Sequence, residues 1–303
     1  MDIPADVLSA VKTTPTWDLF PVTGTEVFSG QVLKAHKLQF DSGATLVLMR
    51  LDLPFLAICT NQILLRAPAV KSTIMRDPNL VAPDGIAGSP GNPGSCPPQP
   101  GGHGSNGSAG TKGGPGGTVA IPTLYLFVEE VLIHPGSQLT WFDLAIDFAG
   151  VRGGVGGAGG DGGSGGRGAN GPPGLDVGFT CAKPPGNGGN GGNGANGGAG
   201  GAGGNGSDGG TLIYVGPQSA LDQLAWVKVT NHGEPGGLGG KGGQGGVGGK
   251  GGFRGENTVF CYGGYPGYPG VKGADGADGL PGADGGKGTV NLVAKPSIAE
   301  LFS

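Results

Sequence analysis

Charge is scarce in this 303-residue chain. Asp, Glu, Lys and Arg supply 13% of it, roughly half the usual share, and 18 basic against 22 acidic side chains leave a net charge of −4. With no basic surplus, nucleic acid and anionic lipid are excluded as electrostatic partners. No apolar run approaches the roughly 20 residues of a membrane-spanning helix, which excludes membrane insertion. The opening Met1-Asp2-Ile3-Pro4-Ala5-Asp6-Val7 has neither a cationic stretch nor an apolar h-region, so no Sec signal peptide is expected. The chain therefore reads as soluble. If it acts outside a cell, it leaves by lysis, by a leaderless route or within a virion.

What is abundant is glycine. Gly 73 and Pro 25 together make about a third of the chain, against a usual eighth or so. Such a composition ordinarily means disorder, because glycine has the most backbone entropy to lose. The spacing argues otherwise. Glycine recurs at every third position in six runs, 85–94, 101–116, 150–174, 188–209, 233–251 and 264–288, and a flexible linker has no reason to hold such a register. The runs fall in pairs separated by conventional segments, giving the division 1–83, 84–117, 118–149, 150–210, 211–232, 233–288 and 289–303. The even-numbered pieces of this division are glycine hairpins and the odd-numbered ones are β-rich.

A period of three is the turn of a polyproline II helix, which has no internal hydrogen bonds and must satisfy its backbone elsewhere. Collagen and a side-by-side bundle of glycine helices both do so. The triplets favour the bundle. Gly154, Gly157, Gly160, Gly163 and Gly166 put a second glycine into most triplets of the third run. A collagen strand gains nothing from that, whereas a bundled helix needs one bare row for each neighbour. The glycines expected where backbones touch are Gly153, Gly156, Gly159 and Gly162, then Gly191, Gly194, Gly200 and Gly203, then Gly239 and Gly242. By the same count the third, fourth and fifth runs are expected inside, and the first, second and sixth at the margins.

The intervening segments hold short β-forming stretches: 38–40, 45–48 and 63–65, then 124–128, 131–133 and 144–148, then 212–215, 227–229 and 290–293. Their spacing suggests stacked solenoid rungs. Helix is expected only at 217–225 and 297–302. The fold class is thus mainly β and irregular, a β-solenoid-like base with a bundle of six polyglycine II helices and almost no α-helix.

Runs such as Gly153-Gly154-Val155-Gly156-Gly157-Ala158 and Gly200-Gly201-Ala202-Gly203-Gly204-Asn205 resemble the polyglycine II sandwiches of bacteriophage tail-fibre-tip adhesins and of the snow flea antifreeze protein. The alternation with β segments also resembles glycine-rich, collagen-like bacterial proteins. The adhesin resemblance implies that loops joining the helices at the distal end contact a bacterial receptor.

Those loops are 95–100, 175–187 and 252–263. They hold Cys96, Cys181 and Cys261, while Cys59 sits in an apolar strand and reads as a buried hydrophobe. For the three loop cysteines the readings are one disulfide with a cysteine left over, three free thiols, or a three-cysteine metal site that lacks a fourth ligand. Phe253, Phe260, Tyr262, Tyr265 and Tyr268 gather near the third tip. They serve either as contact surface, as tyrosines do at low entropy cost, or as packing that closes the bundle end. The candidate recognition residues are Cys96, Gln99, Phe179, Cys181, Lys183, Phe260, Cys261, Tyr262, Tyr265 and Tyr268.

Two polar rows have competing readings. Asn187, Asn190, Asn193 and Asn196 form either an ice-binding face or a hydrogen-bonding ladder within the bundle. Asp275, Asp278 and Asp284 recur at multiples of about 9 Å, too far apart to share one calcium ion, and read as a solvated acidic face with Lys272 and Lys287 placed to pair with it. His36, His103, His134 and His232 are scattered, and no nucleophile or acid–base constellation can be drawn. The expectation is a non-enzymatic structural or adhesive protein without metal or cofactor, extracellular or virion-associated. Its partner is a cell-surface receptor or glycan. The alternative is a self-assembling filament subunit whose partner is a copy of itself.

Overall fold

The computed structural model describes residues 2–66, 70–133 and 143–303. It is mainly β, with two parallel sheets, one small antiparallel hairpin and two α-helices. The helices are α1 (Ala5–Thr13) and α2 (Gln218–Leu224), and a 3₁₀ turn follows at Ala299–Leu301. The strands are β1 (Trp17–Val22), β2 (Thr25–Phe28), β3 (Val32–Phe40), β4 (Thr45–Leu48), β5 (Phe55–Leu65), β6 (Ser72–Arg76), β7 (Thr123–Ile133), β8 (Leu144–Asp147), β9 (Leu175–Val177), β10 (Thr180–Lys183), β11 (Leu212–Gly216), β12 (Lys228–Thr230) and β13 (Val290–Ala294).

Successive strands alternate between the two sheets. One sheet has the order β1-β3-β5-β7-β11-β13 and the other β12-β8-β6-β4-β2, every pair parallel. Strands buried on both faces read as near-continuous apolar runs, as Phe55-Leu56-Ala57-Ile58-Cys59 does here. Leu56, Ile58, Ile63, Leu126, Tyr214 and Phe148 face the core between the sheets. Phe55, Ala57, Cys59, Phe127 and Val215 face a second core under α1 and the 3₁₀ turn, made with Val7, Val11, Ile298 and Leu301.

Helix α1 was outside the sequence expectation, which had helix only at the other two places. Its signal is brief: Pro4 at the N-cap, Asp6 and Lys12 matched to the helix dipole, and a single i,i+4 pair, Val7 and Val11, to bury. Lys34 fastens it, its Nζ donating to the Lys12 carbonyl at the helix end. Strands β1 and β2 were likewise not singled out. Pro21 interrupts the β1 pattern, and a proline is admissible there because β1 is an edge strand.

The six glycine runs have no regular secondary structure of their own, yet their backbones are paired from end to end. The first run donates to the third (Gly85, Gly88, Gly91 and Gly94 N–H to Val155, Ala158, Asp161 and Ser164 carbonyls, each 2.7 Å), and the third donates to the fifth, as Gly159 does to Lys241. The second donates to the fourth and the fourth to the sixth, as Gly110 does to Asn196 and Gly200 to Ala277. Cross-bonds such as Gly160 to Thr111, Gly201 to Gly157, Gly240 to Gly201 and Gly279 to Gly240 knit the two sets together. Outgoing runs thus form one layer and returning runs a second.

The sheets and the layers keep a common register. A separation of 78 residues relates Asn205 to Ala283 in the glycine layer and also Leu212 to Val290 in the sheet beyond it. A separation of 83 relates Asp161 to Gln244 and Ala145 to Lys228. One expectation needs correction. The second run is no margin, since it bonds to the first, third and fourth runs much as the fifth bonds to the third, fourth and sixth. Ser105, Ser108 and Thr111 occupy what would be its second bare row, because the first run beside them is outermost and leaves room for small side chains.

Candidate functional site

Chain reversal at the far ends of the hairpins falls on glycines with positive φ, where a side chain is disfavoured: Gly101 (φ 75), Gly178 (φ 61), and Gly263 and Gly264 (φ 140 and 73). The second hairpin ends in the antiparallel pair β9–β10, around Gly178 and Phe179. The third hairpin folds against it. Asp176 accepts a hydrogen bond from Thr258 Oγ1 at 2.6 Å and another from the Phe260 N–H at 3.2 Å, and Gly174 N–H donates to the Glu256 carbonyl. Cys181 and Cys261 close a disulfide across the two tips, with Cα atoms 4.9 Å apart and a sequence separation of 80. On a chain-entropy account a link over such a loop stabilises by up to about 4 kcal/mol.

This decides the cysteine alternatives. One pair forms, and Cys96 is free and exposed while Cys59 is free and buried. Burial pushes the Cys59 thiol up to about 12, so it is an inert core group. Of the three loop cysteines, which hairpins in register would bring to one end, Cys181 and Cys261 meet and Cys96 forms no disulfide. Gly94 pairs with Ser164, whereas Cys261 lies against Gly174. The first hairpin has turned back by Gly101, whose N–H donates to the Asn170 carbonyl, four residues short of Gly174. The first hairpin is shorter, so Cys96 and Gln99 sit below the clamp rather than in it.

The remaining candidates do gather. Phe179 and Phe260 meet edge to face, 6.2 Å between centroids, with Phe179 89% exposed. Tyr262, Tyr265 and Tyr268 are 70–77% exposed, so the packing alternative, in which they bury one another to close the end, is not what the structure has. Lys183 lies on the exposed strand β10. The backbone beneath the tyrosines is rigid: Tyr265 and Tyr268 N–H donate to Asn187 and Asn190 Oδ1, and their carbonyls accept from Gly188 and Gly191. Pro266 and Pro269 fix φ between them. Beside the tip, Arg167 stands over the Phe253 ring at 5.3 Å, next to a cleft of about 470 Å³ lined by Asn170, Gly171, Pro173, Phe253, Arg254 and Glu256. Asp176 and Thr258, which anchor the tip, and the Arg167–Phe253 contact were missed in the sequence. Asp176 and Thr258 lie in separate loops, in Leu175-Asp176-Val177 and Asn257-Thr258-Val259, and no local pattern flags either.

The structural glycines behave as a set. A Cβ placed on Gly153, Gly156, Gly159 or Gly162 would overlap backbone oxygens of the fourth run, on Gly191, Gly194, Gly200 or Gly203 those of the fifth, and on Gly239 or Gly242 those of the sixth. Backbone cannot yield as a flexible side chain can.

The two polar rows are part of that lattice. Asn187, Asn190, Asn193 and Asn196 accept from the N–H groups of Tyr265, Tyr268, Val271 and Ala274, each at 2.9 Å, which is the ladder reading. The acidic row is not merely a solvated face. Asp275, Asp278 and Asp284 accept from Gly245, Gly242 and Gly236 N–H, while Lys272 pairs with Asp275 and Lys241 with Asp278. The Gly245 N–H and Lys272 hold the Asp275 carboxyl below its usual range, and Lys241 and the Gly242 N–H do so for Asp278.

A cleft of about 630 Å³ lies where the third run leaves the sheets. Its Arg76 is engaged with the Ala149, Gly150 and Asp77 carbonyls, a clamp rather than a free cation. His134 lies outside the described residues. Among the described residues no group of three or more His, Cys, Asp or Glu could hold a metal ion, and no helix is long and apolar enough to cross a membrane.

No protein-family model and no curated protein matches this chain. Among solved structures, it is matched to a nine polyproline type II helical bundle springtail antifreeze protein from Granisotoma rainieri, at 23% identity over 60% of this chain and 98% of that one, with a TM-score of 0.12.

Proposed function

We propose that this is a non-enzymatic recognition protein: a β-solenoid-like base carrying a bundle of six polyglycine II helices, whose far end binds a cell-surface receptor or glycan. The alternation of strands between two parallel sheets supports the solenoid, and the inter-run hydrogen bonds support the bundle. The observation that carries the function is the clamped tip. A disulfide and the Asp176 hydrogen bonds immobilise a surface from which Phe179, Phe260, Tyr262, Tyr265 and Tyr268 project into solvent. Rigid exposed aromatics supply contact area at little entropic cost. The disulfide suits an oxidising compartment, outside a cell or on a virion. The activity needs no metal or cofactor.

The test is binding to whole cells and to immobilised glycans by Tyr262→Ala/Tyr265→Ala and Phe179→Ala variants. Loss of binding with an unchanged melting temperature supports the reading, and retained binding overturns it. The filament reading has its own supporting observation. The edge strands β1 and β13 expose Trp17, Leu19, Val290 and Leu292, a template for a second copy. Electron microscopy of purified protein separates the two, as long ordered fibres favour the filament and isolated particles favour recognition.

A further inference from the structure

Each inner run donates in two directions. In the fourth run, Gly189 donates back to the third and the preceding Gly188 donates onward to the sixth. In the sixth run, Gly267, Gly270 and their successors donate back to the fifth. The preceding positions, which would donate onward, are Pro266, Pro269, Lys272, Asp275, Asp278, Pro281, Asp284 and Lys287. Three of these are prolines without an N–H. Three are aspartates that turn a carboxylate onto Gly245, Gly242 and Gly236 N–H of the fifth run, the donors that would meet a further outgoing run.

The opposite margin is closed differently. In the first run, Gly85, Gly88, Gly91 and Gly94 all donate inward. Ser89, Asn92 and Ser95 N–H are taken by Thr111, Ser108 and Ser105 hydroxyls of the second run, and Pro90 and Pro93 have no N–H. What faces outward is the carbonyl row of Ala87, Pro90 and Pro93, which has no hydrogen-bond partner among the described residues.

We infer that the two margins of the glycine lattice are terminators against a second copy of this chain. The first run has lost its outward donors at Pro90 and Pro93, and at the other margin Pro266, Pro269 and Pro281 lack an N–H while Asp275, Asp278 and Asp284 cap three fifth-run donors. First margin against first margin sets acceptors against acceptors. First margin against last finds three of the fifth-run donors, Gly236, Gly242 and Gly245, already occupied by Asp284, Asp278 and Asp275. The device is the one by which sheets blunt an edge strand, with proline and charge placed where a neighbour would add. It rests on the hydrogen-bonded lattice and not on the recognition reading. It implies that a filament of this protein, if one forms, grows through the base.

The experiment is light scattering over a concentration series on three full-length proteins, with circular dichroism to follow folding. The native chain is expected to stay at monomer mass through its glycine margins. Asp275→Gly/Asp278→Gly/Asp284→Gly frees three fifth-run donors to meet the carbonyls of Ala87, Pro90 and Pro93 on a second copy. Its weight-average mass should at least double as concentration rises, through head-to-tail addition that does not close. Asp275→Asn/Asp278→Asn/Asp284→Asn keeps an acceptor oxygen and loses the charge, so it should stay monomeric. A folded glycine variant that remains monomeric overturns the inference, and so does an asparagine variant that associates, since charge alone would then be the barrier. Pro266→Gly/Pro269→Gly/Pro281→Gly restores onward donors in the sixth run and should associate as well. If both the aspartate-to-glycine and the proline-to-glycine proteins fail to fold, the inference also falls, because these groups would then be holding the sixth run in place rather than closing its outer side.

Discussion

The base and the glycine region solve one problem in opposite ways. Both are two-layered, and both must pair every buried N–H and carbonyl. In the base, side chains fill the space between the sheets, so backbones of the two layers stand about 10 Å apart and the hydrophobic effect supplies the stability. Among the inner runs of the glycine region the contacts between the layers are backbone on backbone. Backbones of opposite layers bond directly, as Gly201 does to Gly157 at 2.8 Å. The comparison shows where tolerance to mutation should lie. A core that has side chains can lose some of them, whereas a core without any has no room for one.

The largest effect should come from breaking the second kind of core. Gly159→Val or Gly200→Val drives a side chain into the carbonyl of Gly198 or Gly240, and separating the runs forfeits several hydrogen bonds at once. A loss above about 4 kcal/mol is expected, an exceptional value for one substitution. Ala158→Val, at an exposed position of the same run, should cost next to nothing. In the base, Leu126→Ala leaves a cavity in a core of ordinary type, at about 2–5 kcal/mol. Denaturant melts of the four variants test the ordering, and equal sensitivity at Gly159 and Ala158 would refute the close-packed lattice.

The next effect sharpens the contrast at the tip, which belongs to neither region. Cys181→Ser/Cys261→Ser should cost about 2–4 kcal/mol where it loosens the tip. Hydrogen exchange should report it at β9, β10 and 256–263, with the sheets of the base unchanged. Exchange that rises equally in both regions would show that the disulfide holds the whole molecule.

The two regions also differ in how far sequence reveals them. The glycine runs were legible because a bare row is an absolute steric demand, so Gly153 or Gly239 is constrained by its own contact. What each run contacts was less so. The Asn187 to Asn196 row was visible, but its acceptors serve donors 78 residues away. The Asp275 to Asp284 row looked like solvated surface because its partners, Gly236 to Gly245, carry no distinguishing side chain. The length mismatch between the first and third runs is equally visible in the sequence, and it alone places Cys96 short of Cys181. In the base, α1 and β1 were hidden because a nine-residue helix with one buried pair and an edge strand containing Pro21 both carry weak periodicity. Lys34, Arg76 and Asp176 act through tertiary contacts that no local pattern encodes.

The smallest effect concerns charge and should appear on the glycine side alone. Asp275 and Asp278 have carboxyls held below their ordinary value of 3.8. For a carboxylate depressed in the folded state, the stabilisation is complete above the unfolded value and is lost as pH falls through the folded one. The window therefore opens near pH 3.8 and extends below it. Both side chains are more than half exposed, so the effect is a loosening of the sixth run and not a global collapse. Hydrogen exchange at Gly242 and Gly245, compared with the same amides in Asp275→Asn/Asp278→Asn, should diverge as pH drops below about 4, the native protein losing protection that the asparagine variant never had to lose. The inter-sheet core of Leu56, Ile58 and Leu126 contains no ionisable carboxylate, and its amides should show no such divergence. Equal acid sensitivity in both regions would mean that the carboxylates act through the whole fold, and the contrast between a side-chain core and a backbone core would then fail as an account of where stability resides.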